Sequence, residues 1–191
     1  MGLGELLDQL RALYMTRFVA TVEQLRQNAA SQVLLEVVLR DEQGNAVRDG
    51  ALGLPIRLDA VVLSGESGFD QVSVDSESIL SFDRIAFPWT EELEVAIHPF
   101  PWDRLVIRVP TPSAADWRPL VVWCNEWFRE DEDADADPLG VVHFFSDPEI
   151  AGDGYTQFVA DLGSAPTEAF EGLLDAVAAL GVKDVILGEE N

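Results

Sequence analysis

Short segments in which apolar and polar residues alternate recur along this chain, and they constrain its fold more than any other feature. In the first of them, Val33, Leu35, Val37 and Leu39 would share one face of a strand. The same pattern predicts strands at residues 56–63, 92–98 and 104–109, with weaker candidates at 71–75 and 79–87. Because the links between these segments are short, the strands are expected to pair mainly as antiparallel sheets.

An amphipathic helix is predicted at the N-terminus, over residues 3–27. Apolar residues recur there at intervals of three or four, beginning with Leu3, Leu6 and Leu7, and no proline interrupts the run. We interpret this stripe as the face with which the helix covers a sheet. The alternative is a helix whose apolar face packs on a partner protein.

The order of predicted elements becomes more regular after residue 103. The elements are a strand at 104–109, a helix from Trp117, strands at 140–146 and 155–162, a helix capped by Ser164 or Thr167, and a strand at 182–187. This β-α-β-β-α-β order is that of the split βαβ, or ferredoxin-like, arrangement. We therefore predict an α+β protein with a helix and an antiparallel β region in residues 1–103 and a ferredoxin-like region in residues 104–191. One continuous domain is also compatible with the pattern.

The charge of the chain argues against several classes of partner. Asp and Glu number 35 against 12 Lys and Arg, which gives a formal net charge of −23. A surface this negative repels nucleic-acid phosphates and anionic lipid head groups. No apolar stretch approaches the roughly 20 residues that a membrane helix needs. We expect neither a nucleic-acid partner nor membrane association.

Cys124 is the only cysteine, so an internal disulfide is impossible. A chain without disulfides suits a reducing compartment, and we expect a cytoplasmic protein. The bulky neighbours Trp123 and Trp127, and the acidic residues that follow them, disfavour a reactive thiolate. Cys124 is therefore predicted to be a core residue.

Motifs that would indicate an enzyme are not found in the sequence. There is no phosphate-binding glycine loop, no nucleophile elbow and no paired-cysteine or paired-histidine spacing, so we predict no cofactor and no metal site. His98 and His143 are the only histidines, and each is interpreted as a half-buried strand residue. The alternative is a hydrolase that gathers two or three residues of one group in a cleft: Asp147, Glu149, Asp153, Asp161 and His143.

Four residues near predicted strand ends are candidates for contact with a partner. Trp89 and Trp102 each end a Phe-Pro-Trp segment, and such aromatics either cover the end of a core or form a binding rim. Arg104 and Arg108 are predicted on one face of a strand. Together they could bind a carboxylate or phosphate, or they could neutralise neighbouring acids.

An acidic run, residues 130–137, is a further candidate for contact with a cation or a basic partner. Asp131, Asp133 and Asp135 alternate with other acids and alanine, but the run lacks the Gly and Glu positions of an EF-hand loop. Adjacent carboxylates repel one another and rarely converge without support. We interpret the run as a solvated loop that binds cations loosely.

These observations favour a non-catalytic acidic protein that binds a basic protein partner, as an inhibitor, an immunity-type protein or a chaperone does. Electrostatic complementarity would accelerate such binding and make it weaken with salt. The alternatives are a small-molecule-binding or regulatory domain, for which a homodimer is compatible, and the carboxylate-based hydrolase. The non-catalytic interpretation requires that the carboxylates face outward. Carboxylate oxygens converging on a histidine would contradict it.

Overall fold

The computed structural model describes residues 2–28, 32–64, 68–76, 78–112, 116–130 and 139–189. The helices formed there are α1 (Leu3–Asn28), α2 (Arg118–Phe128) and α3 (Thr167–Ala178). The strands are β1 (Val33–Val38), β2 (Arg48–Asp49), β3 (Leu54–Pro55), β4 (Arg57–Ser64), β5 (Gly68–Val72), β6 (Ile85–Pro88), β7 (Glu94–Ile97), β8 (Leu105–Pro110), β9 (Phe144–Phe145), β10 (Glu149–Ile150), β11 (Tyr155–Asp161) and β12 (Asp184–Leu187). The predicted α+β class, with a long N-terminal helix and mainly antiparallel sheets, is confirmed.

The larger sheet has seven strands, in the order β10-β11-β8-β12-β7-β6, and β9 also pairs with β11. Every pairing in it is antiparallel except that of β12 with β7. Two of its strands, β6 and β7, precede residue 103 and the others follow it. One sheet therefore draws on both predicted regions, while their division into separate domains stays a prediction.

The connections after residue 103 interleave. Strand β8 lies between β11 and β12 and is antiparallel to both, so the chain crosses β8 as it runs from β11 through α3 to β12. In the same way β11 lies between β8 and β9 and is antiparallel to both, so the chain crosses β11 as it runs from β8 through α2 to β9. The strand order β9-β11-β8-β12 follows from these pairings.

A three-stranded sheet, in the order β1-β4-β5, forms a second layer, and β2 pairs with β3 in a small hairpin. Helix α1 buries its apolar stripe in the core that both regions share, so its apolar face covers the core of its own chain. Although α1 has 26 residues, no helix in the described ranges is long and apolar enough to span a bilayer.

Several predicted elements differ from the observed ones at their ends. Helix α3 begins at Thr167 after Pro166 with no side-chain cap, so the predicted cap by Ser164 or Thr167 is wrong, and the strand predicted at 79–87 is reduced to β6. Helix α2 begins at Arg118, and the Asp116 carboxylate accepts its backbone N–H at 3.2 Å. The strand predicted at 140–146 shortens to β9, because the chain before it leaves the sheet: the Val142 N–H bonds to the Trp127 carbonyl at 3.0 Å instead of to a strand. This departure carries His143 into the interior.

Candidate metal centre

His143 lies where one end of the seven-stranded sheet meets the three-stranded sheet and α1. The sequence pattern predicts a half-buried strand residue, whereas the observed residue precedes β9 and is 2% exposed. Its backbone N–H donates to the Asp161 carbonyl at 3.0 Å, which fixes it beside the last residue of β11. The Phe18 ring of α1 lies 6.3 Å from the imidazole, centroid to centroid.

Three carboxylates surround the imidazole of His143. Glu36 Oε1 lies 2.6 Å from Nε2, while Asp59 Oδ1 and Asp161 Oδ2 lie 2.7 and 3.7 Å from Nδ1. Despite the short distance to Asp59, Nδ1 forms no hydrogen bond of acceptable geometry with a described residue. In a neutral imidazole, the hydrogen bond to Glu36 assigns the ring proton to Nε2, so the lone pair of Nδ1 is directed to the side of Asp59 and Asp161.

The main chain fixes the orientation of each carboxylate. Asp59 Oδ2 accepts the N–H of Val74 at 2.5 Å, and Asp161 Oδ1 accepts the N–H of Gly163 at 2.8 Å. In both aspartates it is the other oxygen that lies near Nδ1 of His143. The two aspartates are therefore held in place with one oxygen each left for a further partner.

Glu36 supports the imidazole from the opposite side. It lies in β1 with a φ of +49°, a conformation that residues other than glycine rarely adopt. The guanidinium of Arg57 donates to its carbonyl, and its Oε1 also accepts the N–H of Ser164 at 3.2 Å. Rare backbone conformations of this kind concentrate at functional sites, where the surrounding structure has to enforce them.

Besides Nδ1 of His143, two more buried polar atoms at this site have no hydrogen-bond partner among the described residues. They are the hydroxyl of Tyr14, in α1, and Oε2 of Glu36; Tyr14 is 0% and Glu36 1% exposed. Leaving such a group unsatisfied costs about 1–3 kcal/mol. Burial and the negative charges of Asp161 and Asp59 raise the pKa of Tyr14, which keeps it a neutral phenol with a proton to donate.

The charges of the cluster shift the pKa of the groups within it. Burial alone would lower the pKa of His143, but the nearby carboxylates of Asp59, Glu36 and Asp161 outweigh burial and raise it to about 10. Burial raises the pKa of Asp161 to about 7, although the charge of His143 opposes the rise. The cluster thus holds more carboxylates than its single imidazole can neutralise.

Gly163 lets the chain pass directly over the imidazole. Its φ is +52°, and a Cβ there would clash with Cδ2 of His143 and lie 2.6 Å from the Val141 carbonyl oxygen. Both the conformation and the space require glycine. The buried Trp102 indole donates to the Gly163 carbonyl at 3.1 Å and holds this segment in place.

The side chains around Nδ1 include the donor types that bind metal ions. Asp59, His143 and Asp161 each offer one ligand atom, and these atoms lie within 4.8 Å of one another. Glu36 forms a hydrogen bond with the other ring nitrogen, Nε2, as carboxylates commonly do with metal-bound histidines. The arrangement can hold a cation, or it can hold a charged imidazolium between carboxylates.

Of the four candidates near strand ends, Trp102 contacts this cluster, through its hydrogen bond to the Gly163 carbonyl, whereas the contacts of Trp89 and Arg108 lie elsewhere. Trp89 is half-buried and donates to Asp175, whereas Trp102 is 1% exposed. Arg108 forms an ion pair with Asp153 and its guanidinium lies 5.1 Å from the centre of the Tyr155 ring. Arg104 is exposed and lies one residue before β8.

The other sequence candidates are dispersed. Asp131, Asp133 and Asp135 lie outside the described residues. From the hydrolase group, His143 and Asp161 come together. The remaining members do not join them in the contacts observed: Asp147 accepts the N–H groups of residues 51 and 52, Asp153 pairs with an arginine, and Glu149 is exposed in β10. Cys124 is buried, and burial raises the pKa of its thiol, as expected for a core residue.

Sequence reasoning missed Glu36, Asp59 and Tyr14. A signal for the acids was present, because each interrupts an otherwise apolar alternating strand. Tyr14 is the one hydroxyl-bearing member of the apolar stripe of α1 that the core buries. The requirement that the carboxylates face outward therefore fails at this centre, where three of them face a histidine.

Comparison with protein-family models, with curated proteins and with solved structures gives no match for this chain. Its function therefore has to be inferred from the geometry of the molecule.

Proposed function

We propose that this protein binds one divalent transition-metal ion through Asp59 Oδ1, His143 Nδ1 and Asp161 Oδ2. One observation carries the proposal: both aspartates are anchored by a backbone N–H on one oxygen and place the other beside Nδ1. Glu36 holds the opposite ring nitrogen, which completes the carboxylate–histidine–metal arrangement found in metalloproteins.

Two of the three distances between ligand atoms are close to those around a bound ion. Two ligands of a tetrahedral ion with bonds of about 2.0–2.1 Å lie roughly 3.3 Å apart. The separation between Nδ1 and Asp161 Oδ2 is 3.7 Å, and that between Nδ1 and Asp59 Oδ1 is 2.7 Å. An ion would draw the first pair together and move the second apart, each by a few tenths of an ångström.

The charge of the cluster favours an ion of two positive charges. A doubly charged ion neutralises its two carboxylate ligands, so with a neutral imidazole the buried cluster keeps only the negative charge of Glu36. An imidazole ligand favours Zn²⁺, Mn²⁺ or a similar ion over Mg²⁺ and Ca²⁺, which prefer oxygen ligands alone. The Tyr14 hydroxyl supplies a donor for a water or carboxylate at the ion.

Metal binding is tested on protein that has been treated with a chelator and dialysed. Isothermal titration with Zn²⁺ should give one site per chain, and Asp161→Asn or His143→Gln should weaken it at least about tenfold. The matched controls are Asp70→Asn, on the exposed strand β5, and His98→Gln, which removes the other histidine. Circular dichroism of each variant verifies that it folds.

Weak binding of several ions, equal in wild type and in the Asp161 variant, would mean that only the acidic surface attracts the metal, and would refute the proposal. A histidine that remains an imidazolium with metal in excess would refute it equally. Its ring nitrogens can be followed by NMR, since a metal on Nδ1 displaces the proton from that nitrogen alone.

Asp161 has the most exposed side chain of the three proposed ligands, at 20%. The centre therefore has one edge near solvent, and this edge favours the carboxylate-based hydrolase as a second candidate. Hydrolysis would require a metal-bound water at that edge. A screen of ester and phosphate substrates with the Zn²⁺-loaded protein tests this candidate. Activity that survives in the Asp161→Asn variant would exclude the centre as its source. The small-molecule or regulatory domain stays a prediction.

For the C-terminal region we propose the ferredoxin-like arrangement. The strand order β9-β11-β8-β12 and the alternating strand directions support it, because the two split βαβ units of that arrangement interleave in this order. The sheet continues past β12 into β7 and β6, which the simple arrangement does not contain.

A further inference from the structure

A groove between α2 and α3, lined by none of the residues of the metal centre, combines an apolar base with an acidic border. It has a volume of about 890 Å³. Trp123 and Trp127 are buried and half-buried in it, while Val122 is 65% exposed. Here the exposed aliphatic side chain lies beside a half-buried indole and within a charged border, and apolar patches rimmed by polar residues commonly mark interaction sites.

Gly172 keeps this groove open. It lies inside α3, where glycine is less favourable than alanine in a helix. A Cβ there would lie 3.4 Å from Cδ1 of Trp123 and 3.5 Å from Nε1 of Trp127, which is contact without a severe clash. The packing of α2 on α3 therefore does not demand glycine, and a methyl group there would cover part of the Trp127 indole, which is half-buried, whereas Trp123 is already 3% exposed.

The indoles are held in place from within. Nε1 of Trp123 donates to the Ala169 carbonyl at 2.8 Å, so the ring is fixed against α3. Trp89 donates to Asp175 at 2.8 Å and connects this groove to a predicted contact residue. A rigid aromatic base of this kind is typical of surfaces that receive an apolar side chain.

The border of the groove is strongly negative. One guanidinium, that of Arg118, lines it and is paired with Asp116, so the net charge of the lining residues is −4. The acidic lining residues are Asp116, Glu126, Glu168, Glu171 and Asp175. Three of them follow one another on α3 at spacings of three and four residues, which places them along one side of that helix.

We infer that the α2–α3 groove binds a basic amphipathic helix of a partner protein. An apolar base between negative borders matches a helix with apolar residues at spacings of three and four and with Lys or Arg beside them. The opposite charge favours its approach and orients it, while the indoles bind its apolar side chains. This locates the basic partner expected from the composition, and it does not depend on the metal centre.

Binding is measured by the fluorescence anisotropy of a labelled synthetic helix of Leu and Lys. The reference peptide has the same composition but a scrambled order, so that its leucines do not share a face. The ordered peptide should bind at least about tenfold more tightly than the scrambled one, and should weaken at least about tenfold between about 50 and 500 mM salt.

Variants separate the groove from the general acidity of the chain. Glu126→Gln, Glu168→Gln and Glu171→Gln together should weaken binding at least about fivefold. Three matched neutralisations of exposed acids elsewhere should have a much smaller effect; they are Asp8→Asn, Glu23→Gln and Glu42→Gln.

Gly172→Ala separates the groove from stability, because alanine favours the helix while its methyl group partly covers the indoles. This variant should bind the peptide more weakly while melting at the same or a higher temperature. Val122→Asn, at an exposed position, should also weaken binding without unfolding the protein.

Equal binding of the ordered and scrambled peptides would overturn the inference, since charge alone would then explain the interaction. Equal losses in the groove triple variant and the control triple variant would do the same. A homodimer that dissociates in the Val122→Asn variant would assign the groove to a second copy of this chain instead of a basic partner.

Discussion

Replacing Asp161 with asparagine should remove one pH-dependent component of the stability of the metal-free protein. The pKa of this carboxyl rises from its ordinary value of 3.8 to about 7 in the folded state, chiefly because it is buried. Asparagine keeps an oxygen for the N–H of Gly163 and removes the charge. The change therefore tests the electrostatic environment with little change in shape.

The sign of the effect follows from the direction of the shift. A folded-state pKa above the unfolded value means that the folded protein holds the proton more tightly. The contribution is fully present below about pH 3.8 and is lost as the pH rises to about 7. One pKa unit corresponds to about 1.4 kcal/mol, so the shift amounts to on the order of 4 kcal/mol. Since this side chain is 20% exposed, screening by solvent reduces the expected loss to about 2–4 kcal/mol.

The assay is urea unfolding at intervals between about pH 4 and pH 8 in the presence of a chelator, followed by tryptophan fluorescence. In wild type the free energy of unfolding should fall across this range, and in Asp161→Asn it should fall by about 2–4 kcal/mol less. Asp70→Asn, on the exposed strand β5, is the control for the loss of one negative charge. Identical pH profiles for wild type and Asp161→Asn would refute the placement of this carboxyl in a buried, crowded cluster.

Three further outcomes are expected. Zn²⁺ at about one hundred times the wild-type dissociation constant should raise the free energy of unfolding of wild type by about 2.7 kcal/mol and that of Asp161→Asn by at most about 1.4 kcal/mol, as thermal denaturation at fixed metal would record. Glu36→Gln should lower the affinity for Zn²⁺ by about 10–100-fold in calorimetry, because the imidazole loses the carboxylate that orients it; unchanged affinity would leave Glu36 no role at the centre. Gly163→Ala should destabilise the fold by about 2–4 kcal/mol, because the new methyl group would clash with His143 and alanine would be strained at this positive φ. A chemical denaturation midpoint equal to that of wild type would contradict the close contact between Gly163 and His143.

The elements of the fold were largely predictable because they follow from short-range patterns. The apolar stripe of α1 repeats over many turns, and the residues of this stripe are the ones buried in the core. The alternation in β1, β4 and β8 likewise marks strands with at least one apolar face. Strand ends were less predictable: β9 is short because the residues before it bond to α2 and carry His143 inward, which no local pattern indicates.

The candidate centre was not predictable for a different reason. Its ligands come from β4, from the segment before β9 and from the end of β11, so no spacing along the chain brings them together. The apolar strands around Glu36 and Asp59 indicate that these two acids are exceptional, but only the pairing of β1 with β4 and the contact between the two sheets show what they face. Nothing in the sequence around Glu36 indicates that its backbone adopts a positive φ.

The energetics of buried charge indicate that this cluster serves more than stability. Replacing buried ion pairs with apolar residues of similar volume is often neutral or stabilising, so a fold does not need three carboxylates around one imidazole for its own sake. Here the cost is increased by a rare backbone conformation at Glu36 and by an unsatisfied hydroxyl at Tyr14. A bound cation would offset two of these costs: it neutralises the aspartates, and a water bound to it would accept a hydrogen bond from the phenol. The same surplus of carboxylates over the rest of the chain creates a negative potential that concentrates cations near the centre. The overall acidity of the chain thus favours occupation of the centre at which, among the described residues, three carboxylates face a histidine.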